Sequence, residues 1–160
     1  MTKKIFLSAF LISSLFVMTG CAFRTPIQEE NSEKREESGK RLDLSNKNLS
    51  KLPADVLRKV ELEELDISDN GLTGALPAEI GQLQNLRVLD ASNNRMTGVP
   101  AEIGQLQKLE TLDLSDNQIT GLPYELGNLK KLKTLRLSGN DYSTQDLEKI
   151  RQNLPDLIIE

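Results

Sequence analysis

The sequence lacks several residue types that carry much of enzyme chemistry. It has no histidine and no tryptophan, and its single cysteine is Cys21. Without histidine the chain cannot build a Ser-His-Asp triad, a Cys-His pair or a histidine-ligated metal site. With one cysteine it cannot form a disulfide within the chain. We therefore expect no catalytic residues, no metal and no cofactor.

An excess of positive charge is also missing. The 160 residues contain 20 Lys and Arg against 24 Asp and Glu, which gives a formal net charge of −4. Nucleic acid attracts a basic protein face because its backbone is a dense row of phosphates. We therefore expect no nucleic-acid partner. The length suits one domain with appended segments.

No hydrophobic run is long enough to predict a membrane span with confidence. Residues 1–20 form a targeting segment, in which Lys3 and Lys4 precede a short apolar stretch over residues 5–18. The sequence M-T-G-C at residues 18–21 resembles the cleavage box of bacterial lipoproteins. The resemblance implies that Cys21 becomes the mature N-terminus and carries lipid, palmitate included. An ordinary secretory signal with a chance cysteine, or an uncleaved anchor, are the alternatives.

Residues 21–40 are charged and contain few apolar side chains, a composition that predicts a flexible tether. The alternative is that Phe23, Pro26 and Ile27 fold back over the open end of the domain that follows. With lipid on Cys21, the protein is expected in the bacterial cell envelope. Ala22 carries no obvious inner-membrane retention signal, which favours the outer membrane or cell surface.

The rest of the chain, residues 41–160, is built on a repeat. The stretch L-D-L-S-D-N-Q-I begins at Leu112, and close variants of it begin at Leu42, Leu65, Leu89 and Leu135. The steps between these leucines are 23, 24, 23 and 23 residues, and the extra residue lies within Gly74-Ala75-Leu76. A fixed period of this length indicates a solenoid.

The repeat resembles the leucine-rich repeat family, whose motif is L-x-x-L-x-L-x-x-N-x-L. Five units keep the register. The resemblance implies an α/β solenoid, right-handed, with a parallel β-sheet on the concave face and short helices or 3-10 turns on the convex face. The alternation of apolar and polar residues around each repeat leucine independently predicts a strand with one buried face. Stacked units then share one core.

Four asparagines fall at one position of the repeat: Asn70, Asn94, Asn117 and Asn140. In the family this side chain turns inward and hydrogen-bonds the backbone of neighbouring turns, as buried amides require partners. The first unit has Lys47 at this place, which we interpret as a terminal unit that lets a lysine reach solvent.

Each repeat strand is followed by a turn, a proline and a short segment that predicts a helical turn. A glycine is expected to keep this turn short in most units. The first unit lacks the glycine, so we expect residues 54–60 to be more helical. The C-terminal part, about residues 143–160, predicts a cap: a helix begun by Ser143 or Thr144 and ended near Asn153, then an edge strand. Tyr142 is expected to pack inward, and Tyr124 is expected on the convex surface or packed at a helix start.

Charged side chains between the core leucines predict columns on the concave face. The central column is Asp43, Asp66, Asp90, Asp113 and Arg136, and Glu64 lies beside it. The functional interpretation is a docking surface for a protein or peptide, possibly basic. The alternatives are that L-D-L-S is only a common form of the repeat with no ligand, and that the carboxylates hold a cation.

These observations predict a membrane-anchored, non-catalytic, monomeric protein-binding module. A structural or envelope-organising protein without a dedicated ligand is the alternative. An enzyme is a third hypothesis, since paired carboxylates serve as acid and base in some sites, but the sequence implies no pocket.

Overall fold

The computed structural model describes residues 40–160 of the chain. The targeting segment, Cys21 and almost all of the tether lie outside the described residues. Within the described part, no helix is long and apolar enough to cross a membrane.

Repetition of one short strand gives the domain its shape. The strands are β1 Arg41–Asp43, β2 Glu64–Asp66, β4 Val88–Asp90, β6 Thr111–Asp113, β7 Thr134–Arg136 and β8 Ile158–Ile159. They form one sheet in the order β1-β2-β4-β6-β7-β8, and every neighbouring pair is parallel. Leu65 pairs with Leu42 on one side and Leu89 on the other, so equivalent residues lie in register. The predicted solenoid sheet is confirmed.

The core is a continuous stack of aliphatic side chains. The central leucine of β2, β4, β6 and β7 is at most 1% exposed, and Ile67, Leu114 and Leu137 beside them are fully buried. A single unit has too little apolar surface to fold alone, but each buries its face against the next. This core packs against the inner face of the sheet and holds its strands in place.

The convex side consists of 3-10 turns: η1 Val56–Arg58, η2 Ala78–Gln82, η3 Ala101–Gln105 and η4 Tyr124–Asn128. Proline precedes η2, η3 and η4 with extended backbone angles, which suits the start of a helical turn. The expectation that the first unit is more helical was wrong. Its turn has three residues against five in the others, and Leu57, at the place of the glycine, is buried.

The glycine that recurs in the convex turns was expected to keep each turn short. In the structure it allows neighbouring turns to pack closely. A Cβ on Gly81 would lie 2.8 Å from the backbone oxygen of Glu102, and one on Gly104 would lie 2.6 Å from that of Glu125. Real Cβ atoms do not approach this closely, so each glycine lets successive units pack.

A second, two-stranded parallel sheet was not anticipated. It joins β3 Thr73–Ala75 to β5 Arg95–Gly98, and its register shifts between Gly74 and Ala75, where the sequence has its extra residue. Gly74 has φ +74°, a conformation that a residue with a side chain adopts at a cost.

The stack is closed at its C-terminal end. Helix α1 spans Thr144–Asn153, and the Ser143 hydroxyl accepts a hydrogen bond from the Asp146 N–H at 3.4 Å, as an N-cap does. Ile150 of this helix is fully buried, and Tyr142 packs partly buried against the core. The predicted closing helix and the edge strand β8 are both present.

Candidate binding surface

The concave face holds the predicted column of charged side chains. The sheet register places Asp43 beside Asp66, Asp66 beside Asp90, Asp90 beside Asp113 and Asp113 beside Arg136. Neighbouring strands are about 4.8 Å apart. The side chains expected to share one face are therefore brought together by the fold.

Each aspartate of the column is held by the serine two residues later. The Ser68 backbone N–H and hydroxyl both donate to Oδ1 of Asp66, at 3.0 and 2.6 Å. The same pair of hydrogen bonds joins Ser45 to Asp43, Ser92 to Asp90 and Ser115 to Asp113. One carboxylate oxygen thus supports the turn after the strand, and the other is left for a second interaction.

The bonds from Ser45 lower the pKa of Asp43, the hydroxyl bond more than the backbone one. A carboxylate that accepts hydrogen bonds is favoured in its charged form. Asp43 is also exposed. It therefore carries its charge at the open end of the column at neutral pH.

The column changes character at its C-terminal end. Oδ2 of Asp113 lies 3.4 Å from Nη1 of Arg136, and Arg136 also binds Glu160 through Nε at 2.6 Å. Asp113 is only 9% exposed, whereas Asp66 and Asp90 are half-buried. The accessible negative charge is therefore concentrated on Asp43, Asp66 and Asp90, which we call the acidic column.

Glu64, the other predicted surface carboxylate, lies one residue before Leu65. It forms an ion pair with Arg41 at 3.5 Å; the Arg41 side chain is 65% exposed and that of Glu64 46% exposed. An exposed ion pair contributes little stability and is readily exchanged for another partner. Arg41 and Glu64 therefore form an adaptable edge of the concave surface.

A second charged column was not anticipated. It consists of Lys40, Glu63, Arg87, Glu110 and Lys133, whose signs alternate from one unit to the next. Lys40 lies 2.9 Å from Glu63, and the Arg87 guanidinium donates to Oε1 of Glu110 from Nη2 at 2.8 Å. The alternating sign at the repeat spacing is a sequence signal that would have identified it. Its members pair with one another just before the strands begin, and three positive against two negative side chains leave it a net charge of +1.

Glu110 is the most strongly perturbed carboxyl group of the surface. Lys133 and Arg87 both donate to it and hold its pKa at about 2. The pairing fixes the side chain against the sheet margin. It also removes Glu110 from the charge available to a partner.

The four asparagines lie behind the concave surface, in the bend that ends each strand. Nδ2 of Asn94 donates to the backbone oxygens of Ile67, Ala91 and Ser92 at 3.0, 3.1 and 3.0 Å, while its Oδ1 accepts from the Leu72 N–H at 3.0 Å. Asn70, Asn117 and Asn140 make the equivalent bonds. Each amide therefore joins one unit to the unit before it.

The residue before each of these asparagines has positive φ, which sequence reasoning did not identify. Asp69, Asn93 and Asp116 have φ of 52–53°, and Gly139 has φ 73°. Asp, Asn and Gly tolerate this left-handed conformation better than other residues do. Their recurrence at one repeat position was the available signal.

Other candidate chemistry finds little support on this surface. Among residues 40–160, no group of three or more Asp, Glu, Cys or His side chains is arranged to hold a metal ion. The exposed aromatic Tyr124, 71% exposed, lies on the convex side, away from the acidic column. A partner of the concave face would thus meet carboxylates and small polar groups.

Family comparison agrees with the geometry. The profile described as "Leucine-rich repeat region" matches residues 79–157, and the profile described as "Leucine rich repeat" matches residues 40–96. The two profiles together extend over almost the whole described domain.

Solved structures with this architecture come from bacteria and plants. A leucine-rich repeat protein of Leptospira interrogans is 43% identical over 78% of this chain, with a TM-score of 0.70, and the chain spans 33% of that protein's length. Internalin C2 of Listeria monocytogenes is 26% identical over 76% of this chain and 50% of its own, with a TM-score of 0.66. The ectodomain of a membrane receptor kinase of Arabidopsis thaliana, solved in complex with Casparian strip integrity factor 2, is 35% identical over 62% of this chain and 13% of its own, with a TM-score of 0.56.

Proposed function

Because the chain belongs to the leucine-rich repeat family, we propose that it is a non-catalytic protein-binding module of the bacterial cell envelope. Members of the family commonly bind proteins and are generally not catalysts, and neighbours of similar structure include one solved with a bound partner. Lipid on Cys21 holds the domain at the outer membrane or cell surface.

The observation that carries the proposal is the acidic column. Three carboxylates, Asp43, Asp66 and Asp90, are presented at strand spacing on a rigid sheet, and each has one oxygen immobilised by its serine. A peptide with lysine or arginine side chains meets fixed negative charge there at little cost in surface ordering. The proposed partner is therefore a basic segment of a protein or a basic peptide.

A charge-only variant tests this site. Asn retains a side-chain oxygen for the serine bonds, so Asp66→Asn/Asp90→Asn removes charge and keeps the turns. We expect the affinity for an oligolysine peptide, measured by calorimetry, to fall about 3- to 10-fold. The matched control is Glu79→Gln/Glu102→Gln, which removes two charges from the convex turns η2 and η3. An equal loss in both variants would reject the concave site.

Lipidation is tested separately. We expect the unchanged chain to incorporate labelled palmitate when it is produced in bacteria, and Cys21→Ser to incorporate none. Protease treatment of whole cells then reports whether the domain is exposed. Label retained in Cys21→Ser, or absent from the unchanged chain, would contradict the anchor.

A structural or envelope-organising role without a dedicated ligand is the second candidate. One observation favours it: every aspartate of the central column accepts hydrogen bonds that stabilise the turn after its strand. This structural role explains why the L-D-L-S sequence recurs without requiring a binding partner. This candidate predicts no saturable partner in quantitative crosslinking of intact cells, whereas the binding module predicts one.

A further inference from the structure

The two ends of the solenoid are finished differently. At the C-terminal end, Ile150, Leu154 and Leu157 cover the last unit and are at most 7% exposed. At the N-terminal end, Leu42, Leu44 and Leu49 are only half-buried, although their equivalents one unit later are at most 3% exposed. Among the described residues, the first unit therefore has apolar side chains that no element covers.

The strand at that end also has an open edge. In the sheet formed by the described residues, β1 pairs only with β2. The Leu44 N–H donates to the Asp66 oxygen at 2.8 Å, and in a parallel pair alternate residues face the same neighbour. Leu42 and Leu44 thus direct their backbone groups to β2, and Arg41 and Asp43 direct theirs to the open edge.

The sequence of β1 is complementary to itself. Read against a second copy in the antiparallel direction and centred on Leu42, Arg41 faces Asp43 of the other copy, Leu42 faces Leu42, and Asp43 faces Arg41. Opposite charges directly across an antiparallel pair are stabilising, and like charges are not. We propose that this edge is a self-association surface, at which two copies join their β1 strands about a twofold axis, in place of the monomer that the sequence predicts.

The backbone pattern fits this register. Arg41 and the facing Asp43 would form a hydrogen-bonded pair, since both present their N–H and C=O groups to the open edge, and the symmetric pair would do the same. Leu42 would meet its equivalent in the non-hydrogen-bonded pair, with Cα atoms about 4.5 Å apart. An isologous contact of this kind covers the half-buried leucines of both copies and closes the assembly at two.

The side chains of Asp43 and Arg41 have atoms available for ion pairs with a second copy. Ser45 occupies Oδ1 of Asp43, and no described side chain binds its Oδ2. Arg41 is exposed, and its ion pair with Glu64 at 3.5 Å involves Nη1 alone, so the other N–H groups of the guanidinium can bind a further carboxylate. The new pairs are therefore compatible with the contacts already present.

The opposite edge of the sheet lacks these properties. Strand β8 has two residues, both isoleucine, and the neighbouring Glu160 is already bound by Arg136. It carries no pair of opposite charges that would match a second copy. Charge complementarity thus selects β1. This inference does not depend on the proposed ligand of the acidic column; in the dimer Asp43 pairs with Arg41 of the second copy, and Asp66 and Asp90 remain for that ligand.

A disulfide introduced at the twofold axis tests the proposal. Cα atoms about 4.5 Å apart suit a disulfide, so Leu42→Cys in the full chain should give a covalent dimer after mild oxidation of bacterial membranes. The unchanged chain, with Cys21 as its one cysteine, reports the background. Asp66→Cys on β2 lies one strand inside the edge and should give no dimer.

Charge reversal makes the test specific. Combined with Leu42→Cys, Arg41→Asp should reduce the crosslinked fraction severalfold, because it places like charges opposite each other. The exchange Arg41→Asp/Asp43→Arg should restore it. No dimer at Leu42→Cys, or a dimer that is insensitive to the charges, would overturn the proposal; the first outcome would leave the open end to another segment or partner.

Light scattering of the detergent-solubilised full chain without introduced cysteine gives an independent measurement. Because this measurement does not use Leu42→Cys, its result does not depend on whether that variant folds. Unfolding curves should be recorded for each charge variant to check that it is folded. The dimer fraction should be high for the unchanged chain and for Arg41→Asp/Asp43→Arg, and low for Arg41→Asp alone. A monomer at all concentrations would equally overturn the proposal.

Discussion

The side-chain amide of Asn94 donates a hydrogen bond to the backbone oxygen of Ile67, 27 residues upstream, at 3.0 Å. Asn94 is only 7% exposed. A single buried amide thus satisfies backbone groups of two consecutive units. The stack depends on such bonds because the bends between its strands have no regular secondary structure to pair their backbone groups.

We expect Asn94→Ala to destabilise the domain by about 2–4 kcal/mol, since it leaves buried carbonyls and the Leu72 N–H without a partner. Asn140→Ala should cost less, because Asn140 is half-buried in the last unit and water can replace its bonds. Urea unfolding of both variants gives the comparison. Equal costs would contradict a role that depends on burial.

The convex turns give a second prediction. A Cβ on Gly104 would lie 2.6 Å from the Glu125 backbone oxygen, so Gly104→Ala should destabilise the domain by about 1–3 kcal/mol. Gly98→Ala is the matched control, because a Cβ there would meet no atom within 4 Å. Thermal unfolding should show a lower midpoint for the first variant only. If both variants unfold like the unchanged chain, the glycines are not needed for packing between units.

Acid should weaken the ion pairs at the sheet margin. Lys133 and Arg87 lower the pKa of Glu110 from 4.5 to about 2. A carboxyl group whose pKa is lowered by folding stabilises the folded state above its unfolded pKa, and this contribution is lost as pH falls towards the folded pKa. The unchanged chain should therefore be more stable than Glu110→Gln at pH 7.

The difference between these two proteins should shrink between about pH 4.5 and about pH 2. Free energies of unfolding measured in urea across this range give the test. Glu79→Gln, an exposed residue with no ion pair among the described contacts, is the control at neutral pH. A difference that stays constant from neutral to acid would show that Glu110 acts through packing and not through its charge.

Much of the fold could be predicted because one pattern is repeated five times. The step of 23 or 24 residues placed Leu42, Leu65 and Leu89 in one row, and the sheet register confirms it. Composition within a unit also located the convex turns. Repetition makes each weak local signal strong, since an error in one unit is corrected by its neighbours.

What could not be predicted depends on contacts between units. The Ser68–Asp66 bonds and the second sheet both require knowing which atoms meet across a turn or a strand. The helical prediction for the first unit failed for the same reason. Without the glycine, Leu57 fills that position from within the core, and the turn is shorter.

The sequence predicted where the residues of the candidate site lie, but not their ion pairs or their exposure. The column from Asp43 to Arg136 lies where the repeat placed it. Its carboxylates differ in exposure, because Asp113 is paired with Arg136 and nearly buried, whereas the N-terminal carboxylates are more accessible. The sequence alone did not show how the acidic charge is distributed along the face.

The most direct test of the proposed binding surface is amide chemical-shift mapping of the isotope-labelled domain during titration with an oligolysine peptide. The account predicts that the largest shifts occur in β1, β2 and β4, at and beside Asp43, Asp66 and Asp90, and that added salt reduces them. Largest shifts in the convex turns, at Glu79 and Glu102, would contradict it.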